Sequence, residues 1–136
     1  LVAGGRVALP SEAEWEKAAR STDGRIFPWG SQPTSDFANF NATEVYSVGS
    51  KSCDECAYGL SDMAGNVWEF TRSPLEDYPY DPKDDLDNLF EDALWVMRGG
   101  SFADGISNVR AAVRGAVDPG VRSETIGFRV VISSSL

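Results

Sequence analysis

The sequence predicts an α+β domain rich in ordered loop. Three observations predict it: one strongly capped helix near the start, β-prone runs that are short and far apart, and a long turn-forming stretch punctuated by aromatics. Arg6-Val7-Ala8-Leu9 reads as a short strand stopped by Pro10. Ser11-Glu12-Ala13-Glu14 reads as a capping box, in which Ser11 accepts from the Glu14 backbone while the Glu14 side chain returns to Ser11. The helix then runs to about Arg20 with Trp15, Ala18 and Ala19 on one face, and Ser21-Thr22-Asp23-Gly24 ends it. From residue 25 to about 52 neither a 3.6 nor a 2.0 period holds; Phe27-Pro28-Trp29-Gly30 and Phe37-Ala38-Asn39-Phe40-Asn41 stand out among turn formers. A loop this long needs buried aromatics or a metal ion to hold it. Met63, Val67, Trp68 and Phe70 surround Gly65-Asn66, which suggests a turn leading into a buried strand. Residues 93–98 (ALWVMR) are β-prone, and residues 126–132 (IGFRVVI) carry the strongest strand signal in the chain.

Composition narrows the function. The 136 residues are enough for a single core, and 42% hydrophobic with 24% charged residues is ordinary for a globular domain. No apolar run has the length of a membrane span, so membrane insertion is not expected; the compartment stays unknown. A net charge of −9 argues against nucleic acid as partner, because phosphate binding needs a basic surface. The charge is uneven: residues 75–92 hold eight carboxylates and one lysine and read as a solvated loop, whereas five of the twelve basic residues are arginines from Arg98 onward. There is no histidine, which removes the commonest general base and the commonest transition-metal ligand. The two cysteines, Cys53 and Cys56, read as a local loop staple or as idle thiols, since nothing completes a zinc site around them.

Residues 98–129 pose the functional question. Their frame is specific: Arg98-Gly99-Gly100-Ser101 at one end, Gly127-Phe128-Arg129 at the other, with Arg110, Arg114 and Arg122 between. Their filling is small, neutral and varied. The arginines, with five donors each, are expected to hold this loop by buried hydrogen bonds while the filling points outward.

Five landmarks in register then carry a resemblance: Leu9-Pro10-Ser11-Glu12-Ala13-Glu14-Trp15-Glu16, Phe27-Pro28-Trp29-Gly30, the run from Gly59 to Phe70 (GLSDMAGNVWEF), Arg98-Gly99-Gly100-Ser101 and Gly127-Phe128-Arg129. The chain resembles the sulfatase-modifying-factor, or formylglycine-generating-enzyme, family, over residues 6–131. The resemblance implies a C-type lectin-like fold, with this chain as the C-terminal part of such a domain and the N-terminal part as an expected partner. It also implies structural calcium: one site from the Asp62 and Glu69 side chains with the Gly65 and Val67 carbonyls, a second from Asn39 and the Phe40 carbonyl with an acidic partner not placed. The alternative for the first set is that Asp62 and Glu69 are ordinary turn residues and Asn66 satisfies backbone groups.

The family's chemistry is not transferred. Its oxidases use a copper-binding cysteine pair soon after the Gly-Gly-Ser motif, and here that stretch, Phe102 to Asn108, has no cysteine. No copper and no catalysis are therefore expected. A related branch with a histidine iron site fails for want of histidine.

The opening stretch is instead similar to the variable region of retroelement-diversified proteins of this fold. There the frame stays fixed and the filling is rewritten at template adenines, often in asparagine codons. From AAC such changes never give Lys, Gln, Glu, Met or Trp; in residues 102–125 only Glu124 belongs to that set, where average usage gives about four or five. The resemblance implies a non-catalytic binding protein whose protein or surface ligand meets Phe102, Ala103, Asp104, Gly105, Ser107, Asn108, Gly115, Ala116, Val117, Asp118, Gly120, Val121, Ser123 and Thr125. The other readings are an oxidase that takes its reactive groups from outside this chain, and a structural calcium-stabilised module.

Overall fold

The computed structural model describes residues 5–85 and 92–134. The elements in order are β1 (Gly5–Ala8), α1 (Glu12–Arg20), a 3-10 turn at Ala57–Gly59, β2 (Trp68–Pro74), β3 (Trp95–Arg98), β4 (Arg114–Val117), β5 (Ile126–Phe128) and β6 (Val131–Ser134). β1 and β6 pair antiparallel as a two-stranded ribbon, and the other four strands form a mixed sheet in the order β4-β3-β2-β5, with β5 parallel to β2. One helix, two small sheets and much loop make the α+β class that the sequence predicts.

The helix forms where its cap dictates. Ser11 Oγ accepts from the Glu14 amide at 3.1 Å and Glu14 Oε2 accepts from the Ser11 amide at 2.7 Å, so the capping box is complete. Trp15 and Ala19 are buried with Met63 and Ala111, and Ala18 packs at their edge. A second cluster joins Phe27, Ala38, Ala64 and Val109, with Trp29 and Phe40 beside it. Phe27 stacks on Trp29 at 5.2 Å between ring centroids, so aromatics hold the long loop.

β2 inverts the usual burial rule. Its polar residues Glu69, Thr71 and Ser73 are buried, while Trp68, Phe70 and Arg72 are only half-buried. The buried side faces α1: Ser73 Oγ accepts from the Glu12 amide at 2.9 Å, and Glu69 accepts from Trp15 Nε1 at 2.6 Å. Burying these groups is tolerable because each has a partner.

Three expectations are corrected. Residues 126–132 are not one strand: β5 ends at Phe128 and β6 begins at Val131 in the other sheet, because Arg129 turns inward to Glu69. Gly115, Ala116 and Val117, expected as filling, form β4 with the frame residue Arg114, since Gly115 opposite Met97 lets the two backbones pair. The acidic run is mostly exposed as far as it is described, but the Asp85 side chain is covered and bonded to Ser73 and Tyr80, so solvation does not govern that end of the run. Positions 86–91 of that run lie outside the described residues.

Candidate functional site

The frame of residues 98–129 is held by three glutamates on the helix side of the sheet. Arg98 is fully buried; its guanidinium reaches Glu16 and lies 3.2 Å from Glu12 Oε1, and its Nη1 donates to the Ala111 and Val113 carbonyls at 3.3 and 3.0 Å. Arg114 Nη2 donates to Glu12 Oε2 at 2.8 Å and the guanidinium lies over the Tyr78 ring at 4.6 Å. Arg129 grips Glu69 with two bonds of 2.6 and 2.7 Å and also donates to the Asp62 carbonyl at 3.1 Å. Such forked guanidinium–carboxylate pairs fix geometry as well as charge. Burial pushes the Glu16 carboxyl up, but hydrogen bonds and charge from Arg20 and Arg98 outweigh it and leave its pKa below the ordinary value.

The remaining frame arginines behave differently from expectation. Arg110 and Arg122 are exposed, and Arg110 Nε donates only to the nearby Ser107 carbonyl at 2.9 Å. Among the described residues neither is paired with a buried carboxylate, so they do not hold the loop as Arg98, Arg114 and Arg129 do.

Within residues 102–125 the expected ligand positions divide. Phe102 and Val117 are buried, together with Val109 and Ala111, and so lie beneath the surface and not on it. Gly115 is half-buried; a Cβ there would stand 2.8 Å from the Met97 side chain and 3.1 Å from Trp68, so the position resists enlargement. Ala103, Ser107, Asn108, Ala116, Asp118, Gly120, Val121 and Ser123 are exposed, while Gly105 and Thr125 are partly covered. They form two arms. The first, 103–108, is stitched to the preceding loop by the Asn41 amide on the Asp104 carbonyl (2.9 Å) and the Ala42 amide on the Phe102 carbonyl (2.8 Å). The second, 118–125, is a turn closed by the Val121 amide on the Asp118 carbonyl and joined to β2 through the Trp68 amide on the Thr125 carbonyl.

Asp104 is the keystone of the first arm. Its Oδ2 accepts from the Ser101 amide (2.9 Å), Ser101 Oγ (2.6 Å) and Trp68 Nε1 (2.9 Å), and its Oδ1 accepts from Asn108 Nδ2 (2.8 Å). Burial pushes its carboxyl up, but the bonds from Ser101, Asn108 and Trp68 prevail and its pKa lies below the ordinary value. No local pattern marks this role, because Trp68 is 36 residues away.

The two expected calcium sets differ in fit. In the first, both Glu69 oxygens are taken by Arg129 and one also by Trp15, while Asp62 Oδ2 accepts from the Gly49 amide at 2.7 Å. A cation at Glu69 would have to displace a bound guanidinium, so Asp62, Gly65, Val67 and Glu69 do not fit the ion. The turn is built for another purpose: Gly65 has φ +71°, and a Cβ there would stand 2.2 Å from the Asn39 carbonyl oxygen. Asn66 beside it exchanges bonds with the Tyr46 backbone and accepts from Asn39 Nδ2 at 3.1 Å. The second set fits better. Asn39 is buried and its Nδ2 is committed to the Glu44 carbonyl and Asn66, which points Oδ1 the other way, without a hydrogen-bond partner. Asn39, Phe40 and Glu44 line one surface depression; Lys51 also lines it, donating to the Ser35 carbonyl. Among the described residues no three Cys, Asp or Glu side chains gather as a metal cluster. Cys53 and Cys56 form a disulfide beside Arg25, which donates to the Glu55 carbonyl at 3.0 Å; they staple the loop.

Comparison with known proteins agrees with this geometry. The sulfatase-modifying factor enzyme 1-like domain matches residues 3–134. Hercynine oxygenase of Mycolicibacterium smegmatis is 44% identical over 78 residues, covering 52% of this chain and 18% of that protein. The inactive C-alpha-formylglycine-generating enzyme 2 of Mus musculus is 32% identical over 142 residues, covering 93% of this chain and 43% of its own length. Among solved structures, Treponema denticola variable protein 1 superposes with a TM-score of 0.78 at 28% identity, over 95% of this chain and 48% of that one. The chain thus spans less than half the length of these relatives. The relatives include both enzymes and a protein named inactive, so the fold alone does not decide catalysis. With the domain match running almost from end to end, the chain belongs to the sulfatase-modifying factor enzyme 1-like family.

Proposed function

We propose that this chain is a non-catalytic, ligand-binding module whose exposed filling was rewritten by a retroelement on a fixed formylglycine-generating-enzyme-type scaffold. The observation that carries the reading is the division of residues 102–125. Buried Phe102, Val109, Ala111 and Val117, with the frame arginines Arg98, Arg114 and Arg129, supply the hold. Exposed Ala103, Ser107, Asn108, Ala116, Asp118, Gly120, Val121 and Ser123 supply a surface that can change at little cost to folding. The likeness to Treponema denticola variable protein 1 supports it further. The surface is small and weakly charged, which suits a shallow contact with a protein partner.

The test is deep sequencing of codons 90–136 across a growing host population. Substitutions crowded into the exposed positions, sparing Phe102, Asp104, Val117 and the buried arginines, are the expected outcome. Sparse variation spread evenly over the segment removes diversification. A second reading, an oxidase with reactive groups outside this chain, draws on the likeness to hercynine oxygenase. Copper uptake by the chain, or oxidation of a cysteine peptide, would select it.

The scaffold is proposed to hold one calcium ion through Asn39 Oδ1 and the Phe40 carbonyl, with Glu44 as the charged ligand. Its contribution is structural: hard oxygens gathered on a long loop gain order from a hard cation. Calcium at a hundred times its dissociation constant is expected to stabilise the fold by about 2.7 kcal/mol over the chelated protein. Glu44→Gln weakens that response, and an identical melting temperature with calcium and with EGTA removes the site.

A further inference from the structure

Where residues 103–108 meet the preceding loop, the seam holds a cleft. Pro33, Thr34, Ser35, Phe40 and Asn41 line it from the loop and Ile106 from the first arm, around a volume of about 380 Å³. Phe40 and Ile106 are its large apolar residues. Both are half-buried, and both pack against the cluster of Phe27, Ala38, Ala64 and Val109, so the core anchors them while part of each stays open. The spacing of loop and arm is fixed by the backbone: the Asn41 amide donates to the Asp104 carbonyl at 2.9 Å and the Ala42 amide to the Phe102 carbonyl at 2.8 Å. Asn41 turns the chain there with φ +50°, a left-handed conformation that a short polar residue tolerates better than most. A Cβ at Gly105 would stand 3.7 Å from Asn41 Oδ1, an ordinary contact, so arm and loop approach closely without crowding. The cleft is therefore preformed, and filling it requires little further ordering of the chain.

The chemistry of the lining selects the occupant. No charged side chain lines the cleft, on a chain whose net charge is −9. The carboxylate nearest to Ile106 in sequence, Asp104, is committed to Ser101, Trp68 and Asn108. A charged group entering would give up water and meet no counter-ion, which is costly. A neutral apolar group meets Phe40 and Ile106 and leaves the Ser35 hydroxyl and the Asn41 side chain to bond the backbone beside it. Apolar walls with a few polar groups that fix orientation are the usual composition of a ligand pocket, and this volume lies at the small end of the usual range of about 300–1,000 Å³.

We propose that this cleft receives one uncharged apolar side chain from a protein partner, with Phe40 and Ile106 as its anchors and exposed Ala103, Ser107 and Asn108 reading the residues around it. The inference rests on the ligand-binding reading and deepens it. It extends the ligand surface beyond residues 102–125 into the loop at 33–41, and it adds Ile106, which the expected contacts pass over. An anchor built on the core keeps its affinity while the exposed positions beside it change the specificity.

The test titrates the full 136-residue chain with N-acetyl-leucinamide, a neutral stand-in for such a side chain, and reads NMR chemical shifts. Shifts centred on Phe40, Asn41 and Ile106 are expected, with a dissociation constant of about 1–10 mM, the efficiency of a ligand of about a dozen heavy atoms. The α-amides of N-acetyl-lysine and N-acetyl-glutamate are expected to bind about tenfold more weakly or worse. Ile106→Ser weakens the leucine probe about fivefold or more. Ser35→Trp, at an exposed position on the rim, fills the cleft and abolishes binding while leaving the unfolding midpoint unchanged, so it decides the matter even if Ile106→Ser fails to fold. Shifts centred elsewhere or absent, equal binding of the charged probes, or binding that survives Ser35→Trp each overturn the proposal. The ligand reading fails separately: sparse, even variation in the deep sequencing removes diversification and leaves the probe result as it is, whereas a cleft that takes no probe leaves the exposed filling of both arms untouched.

Discussion

On the side of the four-stranded sheet that meets α1, Arg98, Arg114 and Arg129 reach Glu12, Glu16 and Glu69. On the other side stand Trp68, Phe70, Ile126 and Phe128, half-covered or open. The charged side is the buried one and the apolar side is the uncovered one. This reverses the usual assignment of polar groups to solvent, and it separates two tasks. The helix side fixes the loop from 98 to 129 by buried ion pairs; the other side and the two arms stay half-covered or open.

The comparison breaks hardest at Arg98. Arg98→Met takes the fully buried cation from between Glu12 and Glu16, which keep only the more exposed Arg114 and Arg20, and leaves two loop carbonyls without a donor; it is expected to cost about 3 kcal/mol in urea unfolding. Arg122→Ala, on an exposed side chain of the same frame, is expected to stay within about 0.5 kcal/mol. Equal effects at the two positions would mean that the buried pairs do not distinguish frame from surface.

Asp104 sharpens the comparison because it lies among the filling yet acts as frame. Asp104→Ala removes one acceptor shared by Ser101 and Trp68 and a second used by Asn108, for an expected loss of about 1–3 kcal/mol. Its lowered pKa gives the sign of the pH dependence. The stabilisation is fully present above the ordinary aspartate pKa of 3.8 and is lost as pH falls through the lower folded-state value. The stability gap between the wild type and Asp104→Asn therefore narrows below about pH 4. A gap that stays constant down to the acid limit would detach Asp104 from the network.

What the sequence disclosed follows range. The helix was legible because its cap is a four-residue event, Ser11 to Glu14, complete within one turn. The family landmarks were legible because they include the residues that now pair: Glu12 and Glu16, Glu69, Arg98 and Arg129. Their partners were not, since Glu69 and Arg129 meet across 60 residues and Arg98 and Glu16 across 82. That is why Glu69 read as a calcium ligand, with no sign of the Arg129 guanidinium that pairs with it in the structure. β4 was missed because Arg-Gly-Ala-Val has only one β-branched residue; it is a strand through Met97 and Trp95 opposite it, which local propensity does not see.

The smallest expected effect is at the exposed filling, the two arms and Ala116 of β4, and there the division between hold and surface meets its strictest test. Ala103, Ser107, Ala116 and Ser123 replaced together by larger polar residues should shift stability by less than about 0.5 kcal/mol each, nearly additively where the sites are well separated. Val117→Asp, one residue beyond Ala116 in β4, places a charge against Trp95 and should cost several times more. The two positions share a strand and differ only in which side they face. If the four exposed replacements unfold the chain as readily as Val117→Asp does, the arms belong to the core and no part of residues 102–125 is free to vary; if only Val117→Asp does, alternation along a four-residue strand is enough to separate what the fold needs from what a ligand reads.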